Sequence, residues 1–380
     1  MRTVIFLAFF SVSIINISCT SSKKILANGS TTHLKFLSEY DVPFNKDFQN
    51  TTIGGLSGID YVPAKNAYYM ISDDRSEYNP ARFYEAKINI NQNKIDSVVF
   101  SGVTFLKNSE GTTYPNSQSD PYHTPDPEAL RYNPEKNTFV WSSEGERIIK
   151  PGQVILENPS VTEINSVGTF IDTFELPPQV RMKQTESGPR RNGVFEGLTF
   201  ADNYKTLFVN VEEPIYDDGS RAGLNDSSGI IRMLKFDMAT KKPVAQYAYV
   251  IDPVAHAPVP SNAFEINGIP DILYVGDNKM LVIERSFSTG RMACTIKVFL
   301  ADISSAENIA DMPSLKNKKG IKFISKKLLL NMDDLGIYID NIEGVTFGPS
   351  LQNGKKSLLF VADNNFNPLE KTQFLLFEVD

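Results

Sequence analysis

Residues bearing an acid or a hydroxyl recur through this chain at nearly even intervals. Ser57, Glu128, Glu196, Asp271 and Glu343 stand 71, 68, 75 and 72 residues apart. Each lies near the start of a similar segment: LSGIDY from Leu56, PEALRY from Pro127, FEGLTF from Phe195, PDILYV from Pro270 and IEGVTF from Ile342. A polar turn follows each, then an apolar run that closes on further acids, namely Asp73, Asp74, Glu144, Glu212, Glu213, Glu284 and Asp363. Carboxylates crowded together repel one another and raise each other's pKa unless something compensates them. A hard cation that accepts six to eight oxygens, Ca²⁺ above all, is the natural compensation. Arginines punctuate the same stretches: Arg75 after Asp73-Asp74, Arg82, Arg190-Arg191 before Glu196, and Arg285 after Glu284. Their planar forks suit phosphate or carboxylate. A structural reading competes throughout. Acids that repeat in every unit also serve as turn caps, and the arginines also serve as their ion-pair partners.

Other hydrolytic chemistries find little support. The histidines His33, His123 and His256 form no metal-ligand pair, which disfavours a zinc centre. Ser57 sits in G-L-S-G rather than in a nucleophile elbow. A Ser57–His123 couple is the alternative that the residue types allow. No Gly-rich phosphate loop opens a helix, so nucleotide-dependent transfer is not expected.

The repeated segments dictate the elements that carry these groups. The first unit contains four β-like runs, 56–62, 67–73, 81–90 and 95–106, with alternating or β-branched and aromatic residues. Repeats of four antiparallel strands at this length indicate propeller blades. The spacing predicts an all-β propeller of five blades, with six as the alternative. After the fifth anchor only three strands remain, about 343–348, 357–362 and 372–379. HLKFLSEYDV at 33–42 therefore supplies the fourth and closes the ring, removing exposed edges.

Strand direction then sorts the loops. Short turns such as VPAKN, NPEKN and DMATKK fall on one face and read as structural hairpin turns. The long loops, 107–127, 176–194, 252–269, 331–342, 74–80, 213–228 and 285–292, fall on the other, where function is expected. On that face first strands begin and second strands end, so the acids form a crown at one channel mouth. Asp73, Glu128, Glu196, Glu212, Glu343 and Asp363 are the expected catalytic set. Glu196, Glu212, Glu343 and Asp363 are the expected metal ligands, and Arg75, Arg82 and Arg285 are expected to hold the substrate.

The 380 residues carry a formal charge of −7, are 41% hydrophobic and 11% aromatic, and show no long basic run. They afford a full core and no nucleic-acid footprint. One propeller domain over 33–380, acting as a monomer, is expected. Before it, MRTVIFLAFFSVSIINIS reads as a signal peptide over 1–18, with Cys19 directly after Ser18 resembling a bacterial lipobox. Residues 19–32 read as a lipidated tether, placing the protein in the bacterial cell envelope, periplasmic or surface-exposed, with the membrane as partner through Cys19. Cys294, the other cysteine, reads as a small buried apolar residue.

GLSGIDY at 55–61, SDDR at 72–75, ARFY at 81–84, DPEAL at 126–130, NGVFEGLTF at 192–200, IEGVTFGP at 342–349 and ADNNF at 362–366 together resemble the phytase-like family with esterase-like activity. These are propeller proteins exported by bacteria. The resemblance implies hydrolysis of phosphate or other esters on a small anionic substrate. Fold alone conveys no activity, so a non-catalytic propeller that binds a ligand or protein is the alternative.

Overall fold

The computed structural model describes residues 33–225 and 229–380. The signal peptide, Cys19 and the tether lie outside the described residues. Five antiparallel sheets follow one another as blades of a propeller. Blade one comprises Leu56–Val62, Ala67–Ser72, Arg82–Asn91 and Lys94–Phe105. Blade two comprises Pro127–Asn133, Thr138–Ser143, Ser160–Asn165 and Phe170–Thr173. Blade three comprises Phe195–Ala201, Thr206–Val211, Ile230–Asp237 and Pro243–Val250.

Blade four departs from the pattern. Its first strand is split into Glu265–Gly268 and Ile272–Gly276, both paired with the long strand Lys279–Ser288, and Thr295–Asp302 and Ser325–Asn331 complete it. Residues 265–268 and 285–288, expected to be loop, thus form a strand pair that stands above the sheet. Blade five is Asn341–Phe347, Lys356–Asp363 and Thr372–Val379, and its outer strand is the N-terminal Leu34–Val42. The terminal pairing runs from Leu34 opposite Val379 to Val42 opposite Thr372, and Asp380 N donates to His33 O at 3.2 Å. This is the predicted five-bladed ring with its N-terminal closure.

The core lies between blades rather than within one sheet. Ile59, Tyr68 and Met70 of blade one pack on Leu359, Val361 and Phe374 of blade five. Leu130, Phe139 and Trp141 of blade two pack on Ile71 and Phe83 of blade one. Second strands such as Ala67–Ser72 and Thr138–Ser143 are buried along their whole length because a blade is covered on both sides. Small residues let the first strands converge on the axis. A Cβ on Gly58 would meet the Glu128 carbonyl oxygen at 2.9 Å, and one on Gly197 would meet the Asp271 Cα at 2.5 Å.

In blades one, three and five the residue before the first-strand aromatic stitches one blade to the next. Thr346 Oγ1 accepts from Tyr61 N at 3.1 Å, Asp60 Oδ2 from Tyr132 N at 2.8 Å, and Thr199 Oγ1 from Tyr274 N at 2.9 Å. In blade two that position is Arg131, which turns into the channel instead. Its guanidinium donates to Leu198 O at 2.8 Å, Val345 O at 3.2 Å and Ile59 O, and to both oxygens of Asp271 at 2.9 and 2.7 Å. One side chain therefore touches all five blades.

Two further segments depart from expectation. A hairpin, Glu146–Lys150 with Gln153–Glu157, stands between the second and third strands of blade two. Residues 303–324, joining the third and fourth strands of blade four, form a long connection from the short-turn face. They climb the outer strand of blade three, where Ile309 N and Ile324 N donate to Gln246 O and Ala248 O at 2.8 and 2.9 Å. The long loops are therefore not confined to one face. Among the described residues, no helix is long and apolar enough to cross a membrane.

Candidate active site at the channel mouth

A β-bulge at the start of the first strand, between Pro127 and Leu130, Phe195 and Leu198, and Ile342 and Gly344, turns Glu128, Glu196 and Glu343 inward at the mouth. The second strands end beside them on Asp73, Glu144, Glu212 and Asp363. Apart from Asp73, which is partly exposed, these carboxylates are at most 8% accessible. Asp126 joins them from the turn before Glu128, and it too is buried.

The ring is not uniform. Two groups bring carboxylate oxygens within 4.8 Å of one another: Asp73, Asp126 and Glu128, and then Glu128, Glu144 and Glu196. Glu128 belongs to both. On the opposite side Arg285 takes the place of an acid and pairs with Glu212 at 2.6 Å and Glu343 at 2.5 Å. Burial raises acids on both sides, Glu343 included even though Arg285 opposes the shift. Burial, reinforced by Glu196 and Asp73, holds the Glu128 carboxyl well above the usual range. Burial, then Asp126 and Asp363, does the same for Asp73, and burial with Glu144 and Glu212 for Glu196. Burial, then Glu212 and Asp126, pushes Glu144 up to about 8, even though Gly193 N and Val194 N donate to it at 2.5 and 2.6 Å. Asp363, raised by burial and by Glu343, has one buried oxygen, Oδ2, without a hydrogen-bond partner.

The expected metal set is therefore redistributed. Glu196 lies in a group with the geometry to hold a cation. Glu212 and Glu343 share the single positive charge of Arg285, and they and Asp363 lie outside both groups. Asp73, Asp126, Glu128 and Glu144 are the ligating candidates that the expected metal set omits, and Asp126 and Glu144 are absent from the expected catalytic set as well. The signal for Asp126 was its place two residues before Glu128 in DPEAL.

Asp271, expected in the crown, is in the channel. Counting back four residues from the stitching aromatic gives Ser57, Glu128, Glu196, Pro270 and Glu343, so Asp271 occupies the glycine position and faces Arg131 on the axis. Glu284 also leaves the crown, accepting from Tyr249 Oη and Lys326 Nζ at 2.8 and 2.6 Å.

Among the arginines, Arg75, Arg191 and Arg285 reach the mouth. Arg75 pairs with Glu146 at 2.5 Å and lies 3.7 Å from Asp126, with its Nε and Nη2 otherwise unpartnered. Arg82 does not reach it. It is fully buried, paired with Asp74 at 2.5 Å and donating to Tyr84 Oη and Thr52 O at 2.6 and 2.9 Å, while Asp74 caps the backbone of Glu77, Tyr78 and Asn79. Arg82 holds the 74–80 loop rather than a substrate. No Ser57–His123 couple forms: the Ser57 hydroxyl donates to Glu128 O, with Glu128 Oε2 at 3.0 Å from the same oxygen, and the exposed His123 ring faces Asp120 at 2.9 Å. Cys294 is buried as expected, its thiol pushed up to about 12 by burial.

Residues 51–366 match the family described as phytase-like, esterase-like activity of phytase. An uncharacterized secreted protein of Arthroderma benhamiae is 30% identical over 155 residues, which is 38% of this chain and 30% of the relative's length. Among solved structures, a GH43 β-1,3-galactosidase with galactodeoxynojirimycin is similar at TM-score 0.47 and 12% identity, covering 89% of this chain and 94% of that one. A gluconolactonase from Xanthomonas campestris is similar at 0.37 and 9%, covering 92% and 90%. The Malassezia sympodialis allergen Mala s 1 is similar at 0.40 and 12%, covering 89% and 83%.

Proposed function

We propose, from the premise that this chain belongs to the phytase-like family, that the channel mouth is the centre of an exported, cation-dependent ester hydrolase. One observation carries the reading: two carboxylate groups with all-oxygen donor sets share Glu128, and among the described residues the one ion pair of their five acids is that of Arg75 with Asp126 at 3.7 Å. Such a donor set fits Ca²⁺, and Asp73, Asp126, Glu128, Glu144 and Glu196 are the residues that would hold it. When bound, the cation would supply Lewis acidity toward an ester oxygen and lower the pKa of water. Arg75, with two donors unpartnered beside Asp126, orients the anionic head of the ester. Arg285 pairs with Glu212 and Glu343 and holds both in place, so the opposite wall competes less for the cation. Ser57 fixes the Glu128 rotamer through its hydroxyl.

A screen of phosphomonoesters, phosphodiesters and carboxyl esters with added Ca²⁺ and with chelator tests the reading. Turnover abolished by chelator and restored by Ca²⁺ supports it. Tight ligand binding with no turnover on any ester leaves a binding propeller as the better account. Export follows from the leader-like sequence, and the similar Arthroderma protein is named as secreted. Anchoring through Cys19 is part of the same proposal. Cys19→Ala should release the protein from membranes, and unchanged retention would remove the anchor from it.

A further inference from the structure

A pocket of about 560 Å³ opens over the blade-three to blade-five side of the ring, with Glu212 and Arg285 at its base. Its blade-four wall is apolar: Phe264, Ile266, Phe287 and Met292. Phe264 and Met292 are 54% and 67% exposed, and the Phe264 and Phe287 rings lie 6.2 Å apart. Large apolar side chains held open at a mouth mark a contact site. This wall is rigidly built. Ile266 pairs with Phe287 in the extra strand of blade four, and Thr289 fastens Phe264 O through both its N–H and its hydroxyl, at 2.9 and 2.8 Å.

The facing wall is charged but balanced. Arg221 pairs with Glu213, Arg191 with Glu146 at 2.9 Å, and Arg285 with Glu212 and Glu343. Asp340 and Glu370 line the third side. Every guanidinium here already faces a carboxylate, so the pocket offers a polyanion no net positive field. A single anionic head can still share a guanidinium edge.

We infer that this pocket selects esters with one anionic head and one apolar group, aryl or acyl, seats the apolar group on Phe264 and Phe287, and discriminates against polyanions such as inositol polyphosphates. The inference rests on the hydrolase reading for the reaction, but the selectivity belongs to the pocket and is measurable without turnover.

The test is titration calorimetry on the full chain with benzylphosphonate, methylphosphonate and inositol hexakisphosphate, beside turnover of 4-nitrophenyl phosphate and glycerol phosphate. Benzylphosphonate should bind about tenfold more tightly than methylphosphonate, as burial of an aromatic ring requires. Inositol hexakisphosphate should bind more weakly than benzylphosphonate. Phe264→Ala, at an exposed position that tolerates truncation, should shrink the benzyl preference severalfold, and adding Phe287→Ala should erase it. Neither change should alter cation-induced thermal stabilisation. Equal binding of the two phosphonates, no binding of either, or preference for inositol hexakisphosphate overturns the inference. A benzyl preference with no ester turned over would remove the hydrolase reading and leave the pocket's selectivity standing. Turnover that ignores both phenylalanines would do the reverse.

Discussion

Arg131 of blade two and Asp271 of blade four meet on the channel axis, with one guanidinium nitrogen at 2.9 and 2.7 Å from the two carboxylate oxygens. Both side chains are almost wholly buried, and Asp271 also accepts from Val345 N at 2.8 Å. Breaking such a pair from one side leaves an uncompensated charge, at a cost of about 3 to 5 kcal/mol. Arg131→Met should destabilise the protein by that order in urea titrations. The double change Arg131→Met with Asp271→Leu should recover most of the loss. If the double variant is no better than the single, the arginine's carbonyl contacts matter more than the pair.

The cation site makes a selective prediction. Saturating Ca²⁺ should raise the melting temperature by about 5 °C, as ligand at a hundredfold excess over its Kd implies. Glu128→Gln with Glu196→Gln should abolish that rise. Glu212→Gln should leave it, because Glu212 is engaged by Arg285. Loss of the rise in the Glu212 variant alone would move the site to the other side of the ring.

The raised acids fix a pH dependence for the cation-free protein. Glu144 binds its proton in the fold up to about 8, against an ordinary value of 4.5. Between those values the native state holds more protons than the unfolded chain, so stability is fully present below 4.5 and is lost as pH rises through about 8. With chelator, urea midpoints should therefore fall between about pH 5 and about pH 8.5, and added Ca²⁺ should recover more stability at the higher pH. A midpoint that rises across the window would contradict the assignment.

Two arginines that look alike in the sequence should part company. Arg82→Ala strands Asp74 in the interior and should cost on the order of 3 kcal/mol in unfolding experiments. Arg75→Ala should cost far less stability while weakening anionic ligands several-fold, leaving Ca²⁺ stabilisation in place.

Ring closure is tested by truncation. Removal of residues through Gly29 should leave the melting temperature unchanged. Removal through Val42 exposes the Thr372–Val379 edge and should lower it by more than ~10 °C or abolish folding. Equal melting of the two would mean that the closure contributes nothing.

Much of this architecture was legible because the repeat carries it. The aromatic four residues after Glu128, Glu196 and Glu343 keeps register from blade to blade, so the inward turn of those three acids could be read from spacing. Asp271 was misplaced for the same reason: it aligns by residue type but sits one position late, and one position reverses the face of a strand. Arg82 and Glu284 were assigned to the mouth by neighbourhood in sequence, whereas burial drew them to Asp74 and to Tyr249 and Lys326. The hairpin carrying Glu146 was not legible. It breaks the repeat, and the contacts of Glu146 with Arg75 and Arg191 join residues 71 and 45 positions away.

The terminal pairing also gives the molecule a direction. Because Leu34 lies opposite Val379 and the N-terminal strand runs from there toward Val42, the described residues begin and the chain ends at Asp380 on the face of the short turns. The carboxylate ring opens on the other face. Anything attached ahead of Leu34 therefore holds the ring from behind, with its mouth turned outward toward whatever diffuses past. An attachment there and access to the mouth would lie at opposite poles of the ring.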